Sequence, residues 1–227
     1  MDGRSTLAPG AVGSEPVRRD DAGFLRDPRE DRGIEMATTL RLAQDPEADE
    51  LLARDPLALL IGMLLDQQFP MERAFASPWL LAQRLGVSRL DAAAIAAHDP
   101  DAFAKLMAGP PALHRYPAAM AGRVQAVCGL VDATYGGDAA ALWRTAGSGT
   151  ELLRRIQALP GFGKQKARIL VALLGKQFGV QPPGWREAAG PYGEAGSLRS
   201  AADVTDAASL AAVRAAKQAA KQAARGG

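Results

Sequence analysis

A single cysteine, Cys128, stands in a chain of 227 residues. It excludes an intrachain disulfide, and without ligands from elsewhere it cannot hold an iron–sulfur cluster or a cysteine-based zinc site. No cofactor and no side-chain metal site are therefore expected. Aromatic residues make up only 5% of the chain while alanine is abundant, which favours helices over sheet. No stretch of strand length alternates apolar and polar residues between strong turn signals, so an all-α fold is predicted. Long apolar runs are missing too: none reaches about 18 residues, and no signal-peptide pattern is present. This predicts no membrane partner and a cytoplasmic protein, nucleoid-associated if the source is bacterial. The net charge is only +2, so any strongly basic surface has to be local.

What is present centres on Leu159-Pro160-Gly161-Phe162-Gly163-Lys164-Gln165-Lys166-Ala167. Upstream, Thr150 is the expected cap of a helix over 151–158. Downstream, residues 164–178 run without proline until Gly179. The spacing predicts helix, tight hairpin, helix. Pro160 fixes one φ, whereas Gly161 and Gly163 permit positive φ and leave no Cβ in the way of an approaching group. The amides after Gly161 open the second helix, where unsatisfied N–H groups favour an anion such as phosphate. Arg154, Arg155, Lys164, Lys166 and Arg168 fall within fifteen residues that contain no acid, a clustering that suits nucleic acid. An ordinary helical hairpin with a solvated basic face is the alternative.

Leu-Pro-Gly-Phe-Gly-x-x-x-Ala followed by an apolar helix resembles the hairpin of the helix-hairpin-helix DNA glycosylase superfamily, of the endonuclease III and adenine glycosylase type. The resemblance covers some twenty residues. It implies a two-lobed helical glycosylase fold in which Leu159, Gly161, Phe162, Gly163, Lys164, Gln165 and Lys166 meet a DNA backbone phosphate, with a monovalent cation on the hairpin carbonyls. Many relatives also carry a four-cysteine cluster loop, which a chain with one cysteine lacks.

In chain order, residues 1–35 are poor in apolar side chains and are expected to be a disordered leader with net charge −2, from six basic and eight acidic residues. The helical domain is expected over 36–205. Asp55-Pro56 opens a helix that is apolar all round from Leu57 to Leu65, hence buried on every side. It ends in Asp66-Gln67-Gln68. In the resembling family a Gln-containing tip enters the DNA where the target base has left, a role that falls to Gln67 and Gln68. Further helices are expected from Ser77-Pro78 to Leu85, Ser88 to Ala97, Asp99-Pro100 to Ala108, Tyr116-Pro117 to Tyr135, and Asp138 to Thr145. His114 is expected in a solvated loop. A Gly-rich loop is expected through Gly196. From Asp206 to Arg225 an Ala-rich helix carries Arg214, Lys217, Lys221 and Arg225 in one stripe, read as solvated, with sliding on the DNA backbone as the alternative.

The family's catalytic Asp, about twenty residues after the hairpin, is replaced here by Pro183, Gly184 and Trp185, and its Schiff-base lysine by Gln165. Hydrolysis still needs a negative charge near the sugar or an acid at the leaving base. Asp66 is the first candidate because it emerges at the end of a buried helix, where burial raises a carboxyl pKa. Glu187, beside an exposable Trp185, is the second. For each, a structural carboxylate is the plainer alternative. The resulting expectation is a monomeric, monofunctional glycosylase acting on a lesion or mismatch in double-stranded DNA. A non-catalytic module that senses distorted DNA and a helical protein-binding scaffold are the competing readings.

Overall fold

The computed structural model describes residues 40–223. The expected leader and Arg225 lie outside the described residues. The repeated dipeptide Asp-Pro organises the first half of the fold, because an aspartate N-cap followed by proline at the first helical position both satisfies and pre-sets a helix start. Asp45 caps α1 (Pro46–Arg54), Asp55 caps α2 (Pro56–Leu65) and Asp99 caps α5 (Pro100–Ala108). Asp55 does more than cap. It is buried, its Oδ1 accepts from Leu57 N at 3.0 Å, and its Oδ2 accepts from Leu90 N at 2.9 Å, tying the loop before α4 (Ala92–Ala97) to the start of α2.

The remaining helices are α3 (Met71–Leu85), α6 (Pro117–Tyr135), α7 (Ala141–Arg144), α8 (Gly149–Gln157), α9 (Lys164–Gln177), α10 (Trp185–Ala189) and α11 (Ala207–Ala223). Among the described residues, two 3-10 turns, Gly190–Tyr192 and Ala201–Asp203, complete the regular structure and there is no strand. The fold is all-α. No described helix is long and apolar enough to cross a membrane. Helices α1 to α6 pack chiefly on one another, while α7 to α11 and the 3-10 turns form a second packing set around α9.

At the centre of the first set lies α2, whose residues Leu57 to Leu65 are all buried. Its neighbour α3 starts at Met71, not at Ser77. Met71, Ala74, Phe75, Pro78, Leu81 and Ala82 form one buried helical stripe, so tertiary burial carries the helix straight through Pro78. Three other starts differ from expectation, two of them because a better cap lies nearby. Ser148 rather than Thr150 caps α8, its Oγ accepting from Glu151 N at 3.1 Å. Asp91 rather than Ser88 caps α4. Asp138 binds Ala140 N at 2.9 Å and α7 begins only at Ala141.

The segment after Gly179 is not all loop. Trp185 is buried at the start of α10 and presses its ring on Gly175 of α9, where any Cβ would run into the indole. The small residue in α9 is thus what lets α10 dock, and Trp185 is not the exposable aromatic that the Gly-rich surroundings suggest.

Candidate nucleic-acid interface

The turn over 158–163 joins α8 to α9 and is held by its own apolar side chains: Leu159 and Phe162 are buried, and Phe162 N donates to Leu159 O at 3.1 Å. Gly161 takes the left-handed conformation with φ +82, and a Cβ there would lie 2.7 Å from Leu64 Cδ1 of α2. Gly163 differs from expectation, with φ −68 and ψ 170, a conformation any residue adopts. A Cβ on Gly163 would meet nothing within 4 Å. The two glycines therefore serve different ends: Gly161 lets the turn close against α2, and Gly163 keeps the outer face bare. Gly163 also caps α9 without any side chain on the first-turn amides, leaving N–H groups and the positive helix end open to an anion.

The five clustered cations separate on folding. Arg155 is committed to the protein, donating to Glu151 Oε1 at 2.6 Å and Thr145 Oγ1 at 2.7 Å. Arg168 is half-buried beside Gly190, its Nε without a partner among the described residues. Lys166 turns inward and donates to Leu64 O at 2.7 Å, placing an ammonium on a carbonyl of the last turn of α2, where the helix dipole favours a cation. Arg154 and Lys164 stay exposed. Of the two lysines expected to meet a phosphate, Lys164 is exposed and Lys166 has its ammonium on Leu64 O.

Between the turn and α2 lies a cleft of about 500 Å³. Asp66 and Gln67 line it from the end of α2, Lys164 to Lys166 from α9, and Lys217 from α11. Asp66 is the C-cap of α2, and its carboxylate accepts no hydrogen bond from any described residue. Burial raises its pKa, opposed by the positive charges of Lys217 and Lys166. Burial likewise pushes the Lys166 ammonium down to about 8, with Asp66 resisting and Arg123 assisting. Two partly dehydrated ions of opposite charge thus share one cleft, each stabilising the other's charged form.

Gln68 is one of two described non-glycine residues at positive φ, at +54, and it is exposed. Gln67 is half-buried, with its carbonyl engaged from below by His114 Nε2 at 2.9 Å. His114 overturns its expected place in a solvated loop: it is 2% exposed. Its Nδ1 accepts from Tyr116 N at 3.0 Å, so Nε2 carries the proton and donates to Gln67 O. This neutral imidazole pins the loop before α6 to the tip of α2, with the Phe69 ring tilted against it at 5.0 Å between ring centroids.

Burial lowers the His114 pKa from its ordinary 6.5. The unfolded chain then binds a proton that the folded chain refuses, so the stability His114 confers is intact above about pH 6.5 and is lost as pH falls below it. The melting temperature of wild type is expected to fall more steeply from pH 6.5 to 5 than that of His114→Gln. In unfolding free energy the excess slope should not exceed about 1.4 kcal/mol per pH unit, and equal slopes would show that His114 is not held neutral.

Glu187 is not brought to this cleft. It sits exposed on α10, on the surface beside Gly184, and lines no part of the cavity holding Asp66. The C-terminal helix is likewise not simply solvated, because Arg214 pairs with Glu72 of α3 and Lys217 reaches the cleft. Among the described residues no group of three or more His, Cys, Asp or Glu is gathered as a metal site would require. Searches of protein-family models, curated proteins and solved structures give no match to this chain.

Proposed function

We propose that this chain binds double-stranded DNA through the 158–166 turn and hydrolyses the N-glycosidic bond of a damaged or mismatched base, as a monofunctional glycosylase of the two-lobed helix-hairpin-helix type. One observation carries the reading: a partly dehydrated carboxylate, Asp66, shares a cleft with a glycine-capped helix N-terminus and adjoins an exposed glutamine in left-handed conformation. A phosphate would seat on the first amides of α9 with Lys164 beside it. Gln68 would occupy the gap left in the duplex, its strained backbone projecting the amide outward. The extruded nucleotide would then enter the cleft, since its sugar carbon is out of reach in a stacked duplex. The Asp66 carboxylate would stabilise the cationic sugar as the bond to the base breaks, after which water adds to C1′. Lys217 and Lys166 oppose the rise in the Asp66 pKa that burial causes. The two helical packing sets, meeting where Leu64 touches the turn, fit a two-lobed arrangement with the cleft at the junction.

The second reading is a non-catalytic sensor of distorted DNA. It draws on Gln165 at the position of the family's nucleophile and on the sequence Pro183-Gly184-Trp185 where a carboxylate is expected. Single-turnover incubation with a panel of lesion-containing duplexes, followed by alkali, separates the two. A glycosylase yields strand cleavage, a sensor yields only a gel shift, and a protein-binding scaffold yields neither.

The two lysines are expected to behave differently in binding. Lys164→Ala should weaken DNA affinity and lower the salt slope by about one counterion. Lys166→Met should leave the slope nearly unchanged. Equal slopes for wild type and Lys164→Ala would remove Lys164 from the phosphate contact.

A further inference from the structure

The cleft has a third wall that the turn and α2 do not supply. Helix α11 is anchored at both levels: Asp206 Oδ1 accepts from Ser209 N at 2.7 Å at its start, and Leu210 and Val213 are buried one turn on. Arg214 then pairs with Glu72 of α3. The next residue on that face, three positions later, is Lys217, and it lines the same cleft as Asp66. The stripe is therefore not uniform. Its first cation fastens the helix to α3 and its second is delivered to the cleft.

We propose that Lys217 is a positioning residue of the cleft, brought there by α11 to hold the Asp66 carboxylate as an anion. The surrounding charges favour this assignment. Lys164 and Lys166 of α9 and Lys217 of α11 line the cleft with Asp66, Arg123 of α6 acts on Lys166, and no second acid lines the cleft. Glu72, the nearest acid on α3 to the tail, is already paired with Arg214. Among the cations opposing the effect of burial on Asp66, Lys217 is the largest, ahead of Lys166. Lys166 spends part of its charge on Leu64 O, whereas Lys217 donates to no described residue.

The test is the titration of the Asp66 carboxyl carbon by NMR in the full chain without DNA, the signal being assigned by its loss in Asp66→Asn. In Lys217→Met, Asp66 is expected to titrate at higher pH than in wild type, and Lys217→Arg should restore the wild-type value. The difference should shrink at high salt, because the cleft is open to solvent. Identical titration in wild type and Lys217→Met, with melting temperatures matched, would overturn the assignment. A second arm rests on the glycosylase reading: the acid limb of the single-turnover rate profile should move to higher pH in Lys217→Met. If no duplex in the panel releases a base, that reading fails, and the carboxyl titration still decides the role of Lys217.

Discussion

Asp66→Asn is expected to slow single-turnover base release by at least about a hundredfold while leaving the melting temperature at or above that of wild type. Asparagine keeps the shape and removes the charge. The rate falls because the negative charge facing the developing sugar cation is lost. Stability does not fall, because the carboxylate accepts no hydrogen bond from a described residue and burial disfavours its charged form. The sign follows from the direction of the shift: with a folded pKa above the unfolded one, Asp66 favours folding only while protonated, and its contribution is lost as pH rises through the folded value. Asparagine is neutral at every pH and carries no such loss. A carboxylate that merely capped the loop after α2 would behave oppositely, losing about 1 kcal/mol on substitution with its rate per folded molecule unchanged. Rate and melting temperature measured on one preparation decide between these outcomes.

Gly161→Val and Gly163→Val, two residues apart, are expected to fail in different assays. In Gly161→Val, the left-handed backbone and the approach to Leu64 Cδ1 both work against the new side chain. The expected loss of stability is about 2–4 kcal/mol, enough to lower the melting temperature by many degrees in a domain of this size. Gly163→Val meets neither obstacle and should melt within a few degrees of wild type. Its new branched side chain, however, stands over the first amides of α9, so affinity for every duplex should drop at least about tenfold, irrespective of sequence. Full DNA affinity in a folded Gly163→Val protein would dismiss the turn as the phosphate site.

Much of this arrangement was legible before folding, and the parts that were not share a cause. Caps and prolines act within four residues, so Asp55-Pro56, Asp99-Pro100 and Tyr116-Pro117 marked true helix starts. The all-apolar run of α2 announced its burial, and the polar tip at Asp66 followed from it. Pro78 misled because its local preference was outweighed by a buried stripe that only α1 and α2 complete. Asp45-Pro46 carried the same signal as Asp55-Pro56 and marks α1, which sequence reading passed over. The roles of His114 and Lys217 depend on contacts with Gln67 and with the cleft around Asp66, far away along the chain. No window of sequence contains both partners. The same holds for the five clustered cations, whose proximity in sequence said nothing about which of them Leu64 and Glu151 would claim.

The burial of α2 on every side has a consequence for timing. A helix with no solvent-facing row has no route to fray outward, so its amides should exchange with solvent only when the whole first packing set opens. Asp66 is the C-cap of this buried helix. On the glycosylase reading, the nucleotide and the exposed tip at Gln68 would move to this carboxylate rather than the carboxylate to them. Deuterium uptake across Leu57 to Leu65 should accordingly stay as slow with duplex bound as without it.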